Sequence, residues 1–208
     1  MIPVAPQPKP ANFNALVRKP GLAFLSTTPK PNQTEWKSHA YWLLVKEDLY
    51  AAYGQVCAYS CHWIPGEGNR TCDHFVPKDE KPKLAYEWRN FRLAVGTVNG
   101  RKGKRRDVLD PFLVQDGWFA IRFPSLIVVP RDELDAQQAK KVQNTIDVLG
   151  LNDDGTCLQT RRAWLRDFCI YNLPFDFLSK KAPFLAQELV RQNLLPSIAA
   201  MMQFPPAK

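Results

Sequence analysis

The chain has 208 residues, 45% hydrophobic and 23% charged, with a formal charge of +8 and a pI near 9.3. That composition belongs to a globular domain able to bury a core; no apolar run reaches the roughly 18 residues a membrane helix needs, and the first residues lack the charged start and apolar stretch of a secretory leader. The excess of Lys and Arg favours a polyanionic partner, and an odd set of 5 cysteines suits a reducing cytoplasm better than a disulfide framework.

Residues 1–31 carry 7 prolines and little hydrophobic periodicity, which predicts a flexible arm over 1–33 ahead of one domain over 34–208. Residues 34–54, with Trp36, Ala40, Leu43, Leu44, Leu49, Tyr50 and Tyr53, read as helical and stop at Gly54. A turn-rich segment covers 57–70. Thr71 to Val76 reads as a short strand ended by Pro77, and a turn around Glu87–Asn90 leads into a second strand, Phe91 to Val95. Residues 97–106 can open a short helix. Two further strands, broken by Pro124, fall within 117–129. A helix follows between Pro130 and Leu149, with Leu134, Val142, Ile146 and Leu149 on one face and Gly150 as its cap. Two or three helices fill 159–203, separated by Pro174, Pro183 and Pro196, and leave Leu185, Leu189, Val190, Leu194 and Leu195 for the core or for an interface. The expected class is α+β: a small ββα core over about 57–106 in a mostly helical scaffold, with a few additional short strands and a helical C-terminal part over about 130–203.

The chemistry concentrates in Asp73-His74, Asn90 and Asn99, followed by Arg101, Lys102, Lys104, Arg105 and Arg106. Water attack on a phosphodiester needs a proton acceptor, relief of charge at phosphorus and a stabilised leaving oxygen. A histidine with an ordinary pKa near 6.5 accepts the water proton at neutral pH. Carboxylate and amide oxygens suit a hard divalent ion, and the basic run offers positive charge for phosphate, with Lys78 and Arg89 as secondary contacts. Strand neighbours 73 and 74 point to opposite faces, so a bulge or twist is required to bring them to one site. Trp63, Tyr86 and Trp88 are candidates for base stacking or for packing.

The pattern Asp73-His74, Asn90, Asn99-x-x-Lys102-Gly103 resembles the ββα-metal motif of HNH endonucleases. The resemblance extends over about 35–170 through Cys57-Ala58-Tyr59, Phe75-Val76-Pro77-Lys78, Tyr86-Glu87-Trp88, Leu93-Ala94, Leu149-Gly150-Leu151-Asn152 and Arg161-Arg162. It is similar in these flanks to the HNH subunit of Septu anti-phage systems and its retron-associated relatives. The resemblance implies His74 as general base, Asp73 and Asn99 as ligands of Mg²⁺ or Mn²⁺, Asn90 as the residue bracing the catalytic loop, and phosphate contacts from the basic run. It also implies an ABC/SMC-like ATPase partner and, in some systems, a retron reverse transcriptase with its DNA. The substrate class is nucleic acid, DNA or RNA, in a cytoplasmic protein with no membrane role. Alternatives are a non-catalytic nucleic-acid-binding or adaptor subunit and a stand-alone restriction-type nuclease. One departure stands out. The family's structural zinc uses two CxxC pairs, whereas here the first is stretched to Cys57-x-x-x-Cys61 and the second is replaced by Val95 and Val98. Structural zinc is therefore not expected, the alternative set Cys57, Cys61, His62 and Cys72 notwithstanding.

Overall fold

The computed structural model describes residues 1–66 and 68–204. Helices dominate, and two small antiparallel hairpins make the fold mixed α+β. The first hairpin pairs β1 (Arg70–His74) with β2 (Phe91–Val95), in register Arg70↔Val95, Asp73↔Arg92 and His74↔Phe91. Helix α4 (Gly96–Lys102) follows without a connecting loop. The second hairpin, β3 (Phe119–Arg122) with β4 (Ile127–Pro130), packs between α5 (Ala136–Leu149) and α8 (Pro183–Arg191). Helix α5 begins at Asp135, whose carboxylate accepts from the Gln138 N–H at 2.8 Å, and ends at Gly150 with φ +61°. A Cβ at that position would be both strained and in collision with the Arg101 guanidinium, 2.3 Å away.

The N-terminal segment departs most from expectation. Residues 1–33 are not a loose arm: a π-helical turn over Asn14–Arg18 runs into α1 (Lys19–Thr27), and Phe13, Val17 and Leu25 enter the core. Phe13 meets Trp88 and Phe91 edge to face, with centroids 5.7 and 5.9 Å away. Gly21 lies so close to the Tyr86 ring that a Cβ would sit 2.2 Å from it. Prolines 3, 6, 8 and 10 hold extended chain against the domain, where Gln7 bonds to the Tyr53 hydroxyl and to the Trp88 indole. Composition alone hid this, because proline restricts the chain without saying what the apolar residues between prolines touch.

The region 34–54 is helical in three pieces: α2 (Gln33–Ser38), a 3₁₀ stretch over Tyr41–Val45, and α3 (Lys46–Ala52). A capping box starts α2, with the Asn32 side chain accepting from the Glu35 N–H and Glu35 accepting in return from the Asn32 N–H. The C-terminal region is richer in helix than the prolines suggested. It holds a π-helical turn over Asp154–Leu158, then α6 (Gln159–Ile170), α7 (Phe175–Lys181), α8 and α9 (Ile198–Met201). Leu185 and Leu189 belong to the core and are not free for an interface; Val190 and Leu195 remain exposed. Among the described residues no helix is long and apolar enough to cross a membrane.

Candidate functional site

Fifteen or so residues of loop separate β1 from β2, and Asn90 ties them together. Its Oδ1 accepts from the Val76 N–H at 2.8 Å, while its Nδ2 donates to the Val76 and Leu84 carbonyls at 3.0 and 3.1 Å. The Phe75 N–H adds a bond to the Asn90 carbonyl at 2.9 Å. A buried amide used at both ends in this way fixes the loop's path. Asn90→Ala strands the Val76 amide and two carbonyls, with an expected loss of about 2–3 kcal/mol in urea unfolding. A loss within experimental error would show that water takes over these bonds.

His74 ends β1 on the hairpin face opposite Asp73. The strand register is regular there, so the bulge needed to converge the two side chains is not formed. The half-buried imidazole sits edge-on to Trp42 and Phe91, at 4.7 and 5.2 Å between centroids. Its Nε2 lies 3.1 Å from the Ala85 carbonyl, which can only accept, so Nε2 carries the proton. Burial pushes the imidazole down to about 4, with the Lys78 and Lys102 ammoniums acting in the same sense and the Ala85 carbonyl against. At neutral pH the ring is therefore neutral, with its lone pair on Nδ1.

On the other face, Asp73 is 3% exposed and its carboxylate is already engaged. Lys102 Nζ lies 3.0 Å from Oδ1, and the Tyr59 hydroxyl donates to Oδ2 at 2.5 Å. Lys102 is 0% exposed, and its two other donors go to the His74 and Phe75 carbonyls, each at 3.2 Å. Burial raises the Asp73 carboxyl above its ordinary range, opposed by Lys102 and Tyr59. Burial beside that carboxylate also raises the Tyr59 phenol well above normal. Asn99 stands one turn before Lys102 on α4 and donates from Nδ2 to Thr71 Oγ1 at 2.9 Å. Thr71 and Asp73 share a strand face, so α4 lays Asn99 and Lys102 against that one face.

A divalent ion would find suitable oxygen types in Asp73 and Asn99, but the arrangement does not fit one as it stands. The Lys102 ammonium occupies the cationic position at Asp73, on Oδ1, while the Tyr59 hydroxyl takes Oδ2. Among the described residues no three His, Cys, Asp or Glu side chains converge as a ligand set. Cys57 and Cys61 are buried free thiols, and Val98 fills core space beside the hairpin.

The basic run is largely spoken for. Lys102 is interior rather than a phosphate contact, which corrects the expectation for that residue. Arg101 pairs with Asp153 at 2.5 Å and also donates to the Gly150 carbonyl; Arg106 pairs with Glu80 at 2.5 Å, and Lys104 pairs with Asp79. Arg105 is exposed and makes no ion pair among the described residues. Tyr86 and Trp88 are buried packing residues and cannot stack on bases; Trp63 lies beneath the Lys181 ammonium, 3.2 Å from its ring centre.

Several partners of the site carry no local sequence signal. Tyr59 reaches Asp73 across 14 residues, and buried Arg92 pairs bidentately with Asp110 at 2.8 and 2.7 Å while stacking on Phe112. Behind the hairpin, the His62 ring is 6% exposed and burial pushes it down to about 3. An unfolded histidine titrates near 6.5, so between that pH and the folded values of His62 and His74 the unfolded chain binds protons that the folded one does not. The stability that these two rings contribute is accordingly full above about pH 6.5 and falls as pH falls towards 4, by up to roughly 1.4 kcal/mol per pH unit for each ring. Urea unfolding at pH 7 and pH 5 reads this slope, and His62→Leu is expected to remove that ring's share of it, up to roughly 1.4 kcal/mol per pH unit; an unchanged slope assigns the effect to other groups.

No family model matches the chain, and no curated protein matches it.

Proposed function

We propose that this chain is a nuclease of the HNH, ββα-metal kind. It hydrolyses phosphodiester bonds of nucleic acid as the toxic subunit of an anti-phage complex under the control of an ATPase partner. Support comes from a hairpin and helix in the order β1, β2, α4, with Asn90 clamping the intervening loop. The observation that carries the reading is His74. The Ala85 carbonyl fixes its tautomer and leaves the Nδ1 lone pair as the proton acceptor at neutral pH. In the proposed step that nitrogen takes a water proton, the water oxygen bonds to phosphorus, and the bond to the leaving oxygen breaks. A phosphate anion near Lys78 would offset the charge that depresses the imidazole and so strengthen the base.

A divalent ion would supply Lewis-acid stabilisation at phosphorus when bound, but the Lys102 ammonium holds the cationic position at Asp73. That same pair favours a second reading, a subunit that binds nucleic acid without cutting it. Purified protein, alone and with its co-purifying partners, incubated with plasmid, single-stranded DNA and RNA in Mg²⁺ or Mn²⁺, separates the two. Cleavage is expected; binding without cleavage in every condition selects the second reading. A protein that purifies alone and cuts freely removes the ATPase partner.

A further inference from the structure

The nuclease reading expects phosphate contacts in the basic run, yet four of its five cations are neutralised within the fold. Apart from Arg105, unpaired positive charge gathers at a second place. A cavity of about 630 Å³ is walled by Trp36 and Trp42 and ringed by Lys37, Lys78 and Lys104, with Gln33 on its edge. Lys37 and Lys78 make no ion pair among the described residues, and Asp79, paired with Lys104, is the one acidic group lining the space. The charge of the lining is thus three positive against one negative. Lys78 Nζ sits 5.7 Å from the Trp42 ring centre and 5.9 Å from that of Trp36. Trp42 in turn meets His74 edge to face, so one ring separates the cavity from the candidate base. The buried Trp36 Nε1 has no hydrogen-bond partner within bonding distance, although the indole contributes to holding the Asp79 carboxyl low after Lys104 and Lys78. A donor buried at the wall and short of a partner suits an anionic oxygen.

We propose that this cavity seats the phosphodiester backbone of a nucleic-acid strand, gripped by Lys37, Lys78 and Lys104 and presented to His74 past Trp42. The inference rests on the nuclease reading and moves the substrate contact off most of the basic run, of which Lys104 alone lines the cavity. The cavity is several times larger than one phosphate, and exposed Leu43, 57% accessible, adds apolar surface to its lining fit for sugars and bases. The three lysines come from α2, from the loop that Asn90 clamps and from the segment after α4, so the grip forms only when those elements are assembled.

Fluorescence anisotropy on the His74→Phe protein measures affinity without turnover. The probes are a labelled duplex, a single strand of DNA and a single strand of RNA, titrated over a range of salt. Lys37→Gln/Lys78→Gln is expected to weaken binding at least about tenfold at 0.1 M salt. It should also lower the slope of log affinity against log salt by about 1.8 on a duplex or 1.4 on a single strand. Lys140→Gln/Lys141→Gln on α5 removes the same charge away from the cavity lining and is expected to change neither quantity. Equal losses from both pairs reduce the effect to net charge and overturn the proposal. So does binding that survives in the cavity variant but fails in Arg105→Gln/Arg106→Gln, or attachment to phosphatidylserine vesicles with none to any oligonucleotide. Lysine-dependent binding by a wild-type protein that never cleaves keeps the seat and removes the nuclease.

Discussion

Lys102→Met is expected to cost about 3–5 kcal/mol of folding stability in urea titrations at neutral pH, the largest effect of any single substitution around the hairpin. The ammonium has no access to water and gives all three donors to protein oxygens, so its removal leaves the Asp73 carboxylate in the interior with only the Tyr59 hydroxyl. An exposed ion pair of the same length would be worth less than about 1 kcal/mol. Burial decides the difference, through the cost of an unpaired charge. The double variant Asp73→Leu/Lys102→Met tests the cause. Replacing both ions by apolar groups is often near neutral, so the double variant is expected to lose less than either single one. It will not recover fully, because the His74 and Phe75 carbonyls lose their donor in both cases. A single-variant loss below 1 kcal/mol would mean that Lys102 does not hold Asp73 in solution.

His74→Phe is expected to lower cleavage by about 10²–10⁴-fold, the usual contribution of a positioned general base. Phenylalanine is the informative choice because an aromatic ring keeps the contacts with Trp42 and Phe91 that alanine would empty. Stability should then fall by about 1–2 kcal/mol, because the buried Ala85 carbonyl loses its Nε2 donor, and urea unfolding of the variant separates that loss from a loss of rate. His74→Phe that still cuts within threefold of wild type would sink the assignment of the base. Cell toxicity on expression, if it follows the same substitution, ties the chemistry to the proposed role.

The sequence was most legible where local rules dominate. The apolar stretch 91–95 set the second strand and the spacing of Val142, Ile146 and Leu149 marked α5 with Gly150 beyond it, whereas the first strand ends at His74, two residues short of the stop expected at Pro77. It was least legible where the outcome depends on distant partners. The apolar residues Phe13, Val17 and Leu25 looked stray among prolines because the surfaces they fill come from Tyr86, Trp88 and other later residues. The site divides in the same way. Asn90 could be singled out by the family resemblance, and its three side-chain bonds go to the loop that it closes, 6 and 14 residues away. The pairing of Lys102 with Asp73 could not, since a lysine in a basic run looks solvated until the helix turns it inward beneath Tyr59. The acids that neutralise Arg101, Lys104 and Arg106 likewise stand far along the chain or across a loop.

The packing of the N-terminal segment sets an order of events during synthesis. The Gln7 carbonyl bonds to an indole 81 residues later, and Phe13 waits on the same Trp88 and on Phe91. A ribosome adding roughly 5–20 residues per second needs about 4–16 s to cover that distance, whereas helices and hairpins form within microseconds once their residues are free. A segment made well before its partners is therefore among the last to dock. It can seat only after the hairpin and its clamped loop have emerged, so a chain stalled before Phe91 leaves Phe13, Val17 and Leu25 in water.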